Sequence, residues 1–174
     1  MICSRIVDET HLVEKKNKYL VDTNILIYLY GDSRLVTETP KLKGLSAKFN
    51  QALNIGCDVY IPAIVISEFI NKYHRLEWNN IKKRIGRKNY DYKRDYRNST
   101  DFIKNNKFIM ETLKTTILSR CKMIEDKFTV DNKDILFNVN EGQDFNDVLI
   151  INIANKNGLY LISADMDSQK IVIK

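Results

Sequence analysis

The sequence predicts an α/β fold in which a mainly parallel central sheet lies between two layers of helices. Short apolar runs of strand length alternate with longer segments of helical pattern along the 174 residues. Strands that alternate with helices are joined by crossover connections, which make neighbouring strands parallel. The length is that of one domain, and no linker or repeat divides it. We therefore expect residues 1–174 to form a single domain.

In the first half of the chain, apolar runs predict two strands and the helices that follow them. Asp22 separates a short buried strand from an apolar helical segment, which ends at the turn residues 31–33. Pro62 stops the second strand and suits the first turn of the next helix. The predicted elements are a strand over 18–21, a helix over 24–30, a helix over about 44–56, a strand over 58–61 and a helix over 64–73.

In the second half, capping residues mark the helices. Residues 99–101 (Ser-Thr-Asp) predict the start of a long helix, and Asp144 the start of another that ends at Asn157-Gly158. Gly86 and Asn89 argue against one continuous helix between residues 73 and 99. The predicted elements are helices over 102–118 and 145–157 and short strands over 123–124, 135–137, 159–162 and 171–173.

Cysteine and histidine usage excludes several kinds of site. Cys3, Cys57 and Cys121 are an odd number without short spacing, so neither a disulfide framework nor a zinc site is supported. Free cysteines fit a reducing compartment, and we expect the cytoplasm. His11 and His74 are expected at the surface or its boundary. No apolar stretch reaches the length of a membrane span, and the first residues lack a signal-peptide pattern.

Positive charge is concentrated in one segment. The net charge is +6, yet residues 72–97 alone hold ten basic and three acidic residues. Aromatic residues are interleaved there, a pattern that suits RNA because cations contact phosphates and rings stack on bases. A solvated helix end with a charged connection is the competing interpretation. The candidate RNA-binding residues all lie in a basic aromatic-rich insertion at about 79–100; they are Lys82, Lys83, Arg84, Arg87, Lys88, Tyr90, Tyr92, Lys93, Arg94 and Arg97.

Four carboxylates lie at the ends of predicted elements or within apolar runs: Asp22, Glu68, Asp147 and Asp165. In a parallel sheet, sites form outside the carboxyl ends of the strands, where Asp22 and Asp165 would project. Clustered carboxylates repel one another, and a divalent cation compensates that repulsion. Oxygen ligands without histidine or cysteine favour Mg²⁺ or Mn²⁺.

Each acid also has an ordinary structural interpretation. Asp22 could cap a helix, Glu68 could reach solvent from the edge of its helix, and Asp165 could be a turn residue. Asp144 and Asp147 have the spacing of a capping pair, and we expect Asp144 to be a cap rather than a ligand. For any one acid the structural role is preferred. Their joint placement favours the metal site.

Four motifs resemble, in order, those of PIN-domain ribonucleases, most closely the VapC-type toxins of toxin–antitoxin pairs. They are Leu-Val-Asp-Thr-Asn-Ile-Leu-Ile (20–27), Ser-Glu-Phe (67–69), Asp-Phe-Asn-Asp-Val-Leu-Ile (144–150) and Leu-Ile-Ser-Ala-Asp (161–165).

The resemblance implies a three-layer α/β/α fold and a divalent-metal site. By position, Asp22, Glu68 and Asp147 would hold the metal, and Asp165 would bind a second ion or orient a metal-bound water. Asn24 and Ser163 match polar positions of the motifs and would support these ligands. The implied reaction is hydrolysis of RNA by metal-activated water without a covalent enzyme intermediate.

The sequence leaves three functional hypotheses. The first is a Mg²⁺- or Mn²⁺-dependent endoribonuclease, a toxin neutralised by a cognate antitoxin and capable of forming a homodimer, as the resemblance implies. The second is a non-catalytic RNA-binding module of the same fold. The third is a haloacid-dehalogenase-type phosphatase, which needs an Asp-x-Asp pair where this chain has Asp22-Thr23-Asn24.

Overall fold

The computed structural model of the protein describes residues 5–31, 36–126 and 144–164, in which strands and helices alternate. The strands are β1 (Lys18–Val21), β2 (Asp58–Pro62), β3 (Lys122–Ile124) and β4 (Tyr160–Ile162). The α-helices are α1 (Thr23–Tyr30), α2 (Pro40–Asn54), α3 (Ala63–Arg84), α4 (Thr100–Thr112) and α5 (Phe145–Asn157). Single π-helical turns lie at Tyr92–Tyr96 and Leu113–Ile117.

The four strands form one parallel sheet in the order β3-β2-β1-β4. Leu20 of β1 pairs with Tyr60 on one side and with Leu161 on the other. The far edge of β4 is partly covered, because Ile6 forms a parallel bridge with Leu161. With helices on both faces, the sheet is the middle layer of the predicted three-layer α/β/α fold, which is confirmed.

The strand order creates a switch point between β1 and β4. From β1 the chain moves to β2 and β3 on one side, and it then returns to place β4 on the other side of β1. In open parallel sheets, ligands bind at such a point, outside the carboxyl ends of the strands. Asp22 and Ser163 follow β1 and β4 there, and the backbone N–H of Asp22 donates to the carbonyl of Ile162 at 3.0 Å.

The main core surrounds β1, α1 and α5, which carry the first and third acidic motifs. Residues 19–21 are fully buried, as are Ile25 and Leu26 of α1. In α5, all seven residues from Val148 to Ala154 are buried, so this helix is enclosed on every side. Each large apolar side chain so buried contributes about 1.5–3 kcal/mol to folding. The starts of α1 and α5, where Asp22 and Asp147 lie, are therefore firmly anchored.

Most predicted elements agree with the structure. The strands predicted over 18–21, 58–61, 123–124 and 159–162 correspond to β1, β2, β3 and β4. The predicted strands over 135–137 and 171–173 lie outside the described residues. The helix predicted over 102–118 is α4 followed by the π-helical turn Leu113–Ile117.

The helix predicted over 64–73 is longer than expected, because α3 continues to Arg84. Its added turns are stabilised by a second, smaller core in which Ile81 packs with Tyr90 and Tyr96. Residues 79–84 of the predicted insertion are thus the end of α3. Gly86, with φ +66°, adopts the left-handed conformation that turns the chain after the helix.

His74 is not the surface or boundary residue that the sequence led us to expect. It is 3% exposed, and Phe102 stacks on its ring with a centroid distance of 4.5 Å. His11 is partly buried, as expected. Cys57 and Cys121 are buried free thiols. Among the helices in the described part of the chain, none has the length and apolar character needed to cross a membrane.

Candidate acidic active site

Asp22 lies at the carboxyl end of the central strand and also begins α1. Its side-chain Oδ1 accepts a hydrogen bond of 2.6 Å from the backbone N–H of Thr23, as an N-cap does. The residue is 6% exposed. The structural role considered for Asp22 is therefore real, and it leaves the carboxylate at the switch point of the sheet.

Two side chains from different elements hold the other oxygen of Asp22. Ser163 Oγ donates to Oδ2 at 2.6 Å, and Asn24 Nδ2 donates to the same oxygen at 2.9 Å. Asn24 is itself fixed, because its Oδ1 accepts from the backbone N–H of Ala164 at 3.2 Å. These donors stabilise the ionised carboxylate and set its orientation. Asn24 and Ser163 thus lie where the motifs suggested, in contact with the first acid.

Glu68 on α3 is connected to the same centre through Thr23. Thr23 Oγ1 donates to Glu68 Oε2 at 3.1 Å. Burial raises the pKa of Glu68, and the nearby charge of Asp22 raises it further. The bond from Thr23 and the charge of Lys72 act in the opposite direction on this pKa. Glu68 therefore lies in the electrostatic field of Asp22 rather than pointing into open solvent.

The third acidic motif begins α5. Asp144 Oδ1 accepts from the backbone N–H of Asp147 at 2.9 Å, so the prediction that Asp144 is a cap is confirmed. Asp147 shares a small cleft with Asp22 and Ser163, closed below by apolar side chains of α5 and β4. The charge of Asp144 also contributes to the raised pKa of Glu68. Acids from three elements thus surround one end of the sheet.

The described acids are related in pairs, Asp22 with Glu68 through its charge and Asp22 with Asp147 through a shared cleft. Within residues 5–31, 36–126 and 144–164, no group of three or more His, Cys, Asp or Glu side chains is close enough together to hold a metal ion. The predicted fourth acid, Asp165, lies outside the described residues. The donor set suits a hard cation, since it consists of carboxylate, hydroxyl and amide oxygens.

A cation beside the acids was missed at the sequence level. Lys72 is exposed and lies one helical turn after Glu68, whose pKa its charge lowers. The spacing of four residues along α3 was the available signal, because side chains so spaced share a helix face. α1 contains no basic residue, so the positive charge near the site is supplied by Lys72 of α3 instead.

The structure divides the predicted RNA-binding residues into two groups. Tyr90 is 8% exposed, and its backbone carbonyl accepts from Trp78 Nε1, so it packs in the second core rather than offering a ring to a base. Tyr92 is partly buried against Trp78. The basic residues remain accessible, apart from Lys82, which is partly buried with its ammonium over the Trp78 ring. The exposed ones are Lys83, Arg84, Arg87, Lys88, Lys93, Arg94 and Arg97.

Comparisons with known proteins give a family and no individual relative. No curated protein matches the chain significantly. No solved structure matches it significantly either. The family model of the PIN domain matches residues 19–174, from β1 onward. PIN domains are in general nucleases, and they typically use divalent metal ions. Because the match covers most of the sequence and includes all four acidic motifs, the chain belongs to the PIN-domain family.

Proposed function

We propose that the protein is a divalent-metal-dependent endoribonuclease whose metal ligands are Asp22, Glu68 and Asp147, with Asp165 as the fourth acid. The observation that carries this proposal is the pairing of Asp22 and Glu68. Glu68 is half-buried, and its pKa is raised both by burial and by the charge of Asp22. Two carboxylates held in this way weaken the folded state unless a cation joins them.

The donor atoms favour Mg²⁺ or Mn²⁺ over zinc. Carboxylates are the ligands of hard cations, and His11 and His74, the two histidines of the sequence, lie in other contacts. Mg²⁺ is commonly bound by one or two carboxylates together with substrate phosphates. A set of acids that are related in pairs is compatible with that mode of binding. When bound, such an ion supplies a Lewis acid for the phosphodiester and a nucleophile at neutral pH.

The remaining side chains position the acids and the substrate. Ser163 and Asn24 orient the Asp22 carboxylate, and Thr23 orients that of Glu68. Lys72 has the place and charge to contact a phosphate next to the one that is cleaved. These roles require that the acids be ionised, which the donated hydrogen bonds favour.

RNA is the substrate that we propose, and a toxin role follows from the motifs. The exposed cations of segment 83–97 suit a polyanion. The resemblance of the four motifs to VapC-type toxins supports a toxin that a cognate antitoxin neutralises. An Arg or Lys of that antitoxin would approach the acids, because clustered negative charge attracts a cation.

The test is cleavage of a cellular RNA pool by the purified protein in Mg²⁺, Mn²⁺ or EDTA. Asp22→Asn is compared with the wild type, and Glu111→Gln on the exposed face of α4 is the control for loss of one acid. Far-UV circular dichroism establishes that each variant is folded. We expect metal-dependent cleavage in the wild type and the control and none in Asp22→Asn. Cleavage that persists in EDTA or in folded Asp22→Asn would contradict the proposal.

A non-catalytic RNA-binding module is the second candidate, favoured by the same exposed cations. It predicts that RNA binds to the wild type and to Asp22→Asn equally well. It also predicts that neither protein cuts RNA with any metal. Gel-shift and cleavage assays on the same preparations therefore separate the two functions.

A further inference from the structure

A cavity of about 520 Å³ lies between α3, the π-helical turn Tyr92–Tyr96 and α4. Its charged side chains are Arg75, Lys93 and Arg97, and no aspartate or glutamate lines it. None of these three cations forms an ion pair with a carboxylate in the ranges that the structure describes. Within the described part of the chain, the cavity therefore presents positive charge that no ion pair neutralises.

A second cavity on the same pair of helices shows that this charge is local. It is lined by Glu77 and Asp101 as well as by Lys83 and Arg84. Arg84 and Asp101 approach to 3.8 Å across it. Acids and bases balance there, whereas the Arg75 cavity contains bases only.

The walls of the cavity are ordered by contacts that leave its cations available. The Arg75 guanidinium carbon lies 3.8 Å from the ring centre of Tyr92, a stacking that fixes the guanidinium plane while its N–H groups can still donate. Behind it, His74 Nε2–H donates to Asn106 Oδ1 at 3.3 Å and His74 Nδ1 accepts from the Tyr96 hydroxyl at 3.1 Å. Burial lowers the pKa of His74, which favours the neutral ring, and a neutral ring can donate from one nitrogen and accept at the other.

The cavity follows the acidic site along one face of α3. Glu68, Lys72 and Arg75 are separated by four and three residues, the spacing of one helical stripe. At 1.5 Å per residue, Arg75 lies about 10 Å beyond Glu68. A strand bound at the acids could therefore run past Lys72 and reach the cavity.

We propose that this cavity binds a backbone phosphate of the RNA strand, at a site separate from the acids and formed by Arg75, Lys93 and Arg97. The inference rests on the proposed function for its choice of RNA as the polyanion. Two donor-rich arginines suit a phosphate because the guanidinium fork matches its oxygens. The site would set the register of the strand relative to the point of cleavage.

The experiment measures the affinity for a short fluorescein-labelled single-stranded RNA by fluorescence anisotropy, in EDTA and over a series of salt concentrations. The cavity variant combines Arg75→Gln, Lys93→Gln and Arg97→Gln. The control combines Lys104→Gln, Lys107→Gln and Lys114→Gln, which removes the same charge from exposed positions outside the cavity. Thermal melting verifies folding, and Arg97→Gln alone replaces the triple variant if the latter melts early.

We expect the cavity variant to lose about tenfold in affinity at ~50 mM salt, and its plot of log K against log salt to become shallower by about 0.7, the contribution of one single-strand phosphate contact. The control should keep a slope close to that of the wild type. Equal losses in both variants would indicate a diffuse positive field and overturn the inference. An unchanged cavity variant would overturn it as well.

Two further probes separate other sources of negative charge. If a nucleoside monophosphate binds to the wild type but not to the cavity variant, while RNA affinity is unchanged, the site belongs to a small phosphorylated ligand. If a poly-glutamate peptide binds to the wild type but not to the cavity variant, while RNA affinity is unchanged, the cavity is a site for an acidic protein. Either outcome overturns the RNA assignment. The binding experiment is carried out in EDTA, which prevents cleavage, so a negative result for the cavity leaves the nuclease proposal intact. Conversely, a protein that binds RNA at the cavity but never cuts it would refute the nuclease proposal and leave the cavity proposal intact.

Discussion

Replacement of Glu68 by glutamine is expected to stabilise the folded protein while it abolishes cleavage. Glu68 is half-buried and lies in the field of Asp22, so its negative charge destabilises the native state. Glutamine has nearly the same shape, and its side-chain oxygen can still accept the hydrogen bond from Thr23. The variant therefore removes the electrostatic cost and keeps the local packing.

The direction of the pKa shift determines how this gain depends on pH. The pKa of Glu68 is raised in the folded state, so the native protein favours the protonated form. The favourable contribution of Glu68 to the free energy of unfolding is fully present below the pKa that Glu68 has in the unfolded chain. It is lost as the pH rises through the pKa that Glu68 has in the folded protein. Glu68→Gln has no such loss. We expect a gain of about 0.5–2 kcal/mol at neutral pH, the range typical of single stabilising substitutions, and none at about pH 4 or below.

Thermal unfolding followed by circular dichroism in EDTA measures this gain. For a chain of this size, 1 kcal/mol raises Tm by about 2–4 °C. The exposed Glu111→Gln is the matched control and should show no comparable gain. Addition of Mg²⁺ or Mn²⁺ should raise the Tm of the wild type, through binding to the folded state, and leave Glu68→Gln unchanged. A variant that melts at or below the wild-type temperature at neutral pH would refute the electrostatic argument.

The other variants test single contacts. Ser163→Ala removes the 2.6 Å donor to Asp22 and should lower activity about 10–100-fold. It should also cost about 1–3 kcal/mol of stability, because the buried carboxylate loses a donor. Unchanged activity in the folded variant would argue against a positioning role. Asp22→Asn should lose cleavage and also about 1–3 kcal/mol of stability, so a Tm equal to that of the wild type would contradict its capping and hydrogen-bonding role. Tyr96→Phe deprives buried His74 of its hydroxyl donor and should cost about 1–3 kcal/mol by urea unfolding, unlike a surface substitution. Gly158→Ala, at φ +63°, should cost about 1–2 kcal/mol, and an unchanged midpoint would exclude strain there.

The sheet could be predicted because its strands are short and apolar. Strands of a parallel sheet are buried on both faces, so β1 and β4 appear in the sequence as continuous apolar runs bounded by polar residues. The capping signals at Ser99 and Asp144 mark the starts of α4 and α5, whereas α2 begins at Pro40, before the predicted start at about residue 44. The local sequence pattern is sufficient to predict an element when the residues of that element alone show which of them are buried.

The second core could not be predicted, because its contacts are distant in sequence. The apolar character of α3 weakens after Tyr73, yet Ile81 is buried by Tyr90 and Tyr96 after the chain has turned back. The same return of the chain buries His74 under Phe102. The tyrosines that suggested base stacking therefore serve partly as packing, and the positive charge remains the stronger argument for RNA.

The acids that we propose for the site could be selected from the sequence, and the side chains that contact them could not. Asp22, Glu68 and Asp147 stand out as carboxylates beside apolar runs. Nothing in the spacing indicates that Thr23 bridges to Glu68, because that contact depends on how α1 packs against α3. Lys72 was visible as a helical neighbour of Glu68, but only the structure places it beside the acidic centre.

The capping role of Asp22 does not exclude the metal-binding role that we propose for it. One oxygen caps α1 and the other accepts from Asn24 and Ser163, so the backbone N–H of Thr23 and these two side chains all act as donors to Asp22. Asparagine would present an N–H₂ group to one of these donors in either orientation, which leaves a buried polar group unsatisfied. Asp22→Asn should therefore lower stability, whereas Glu68→Gln should raise it. If both variants lose cleavage while their Tm values move in opposite directions, unfolding cannot explain the loss, and the two charges themselves are required.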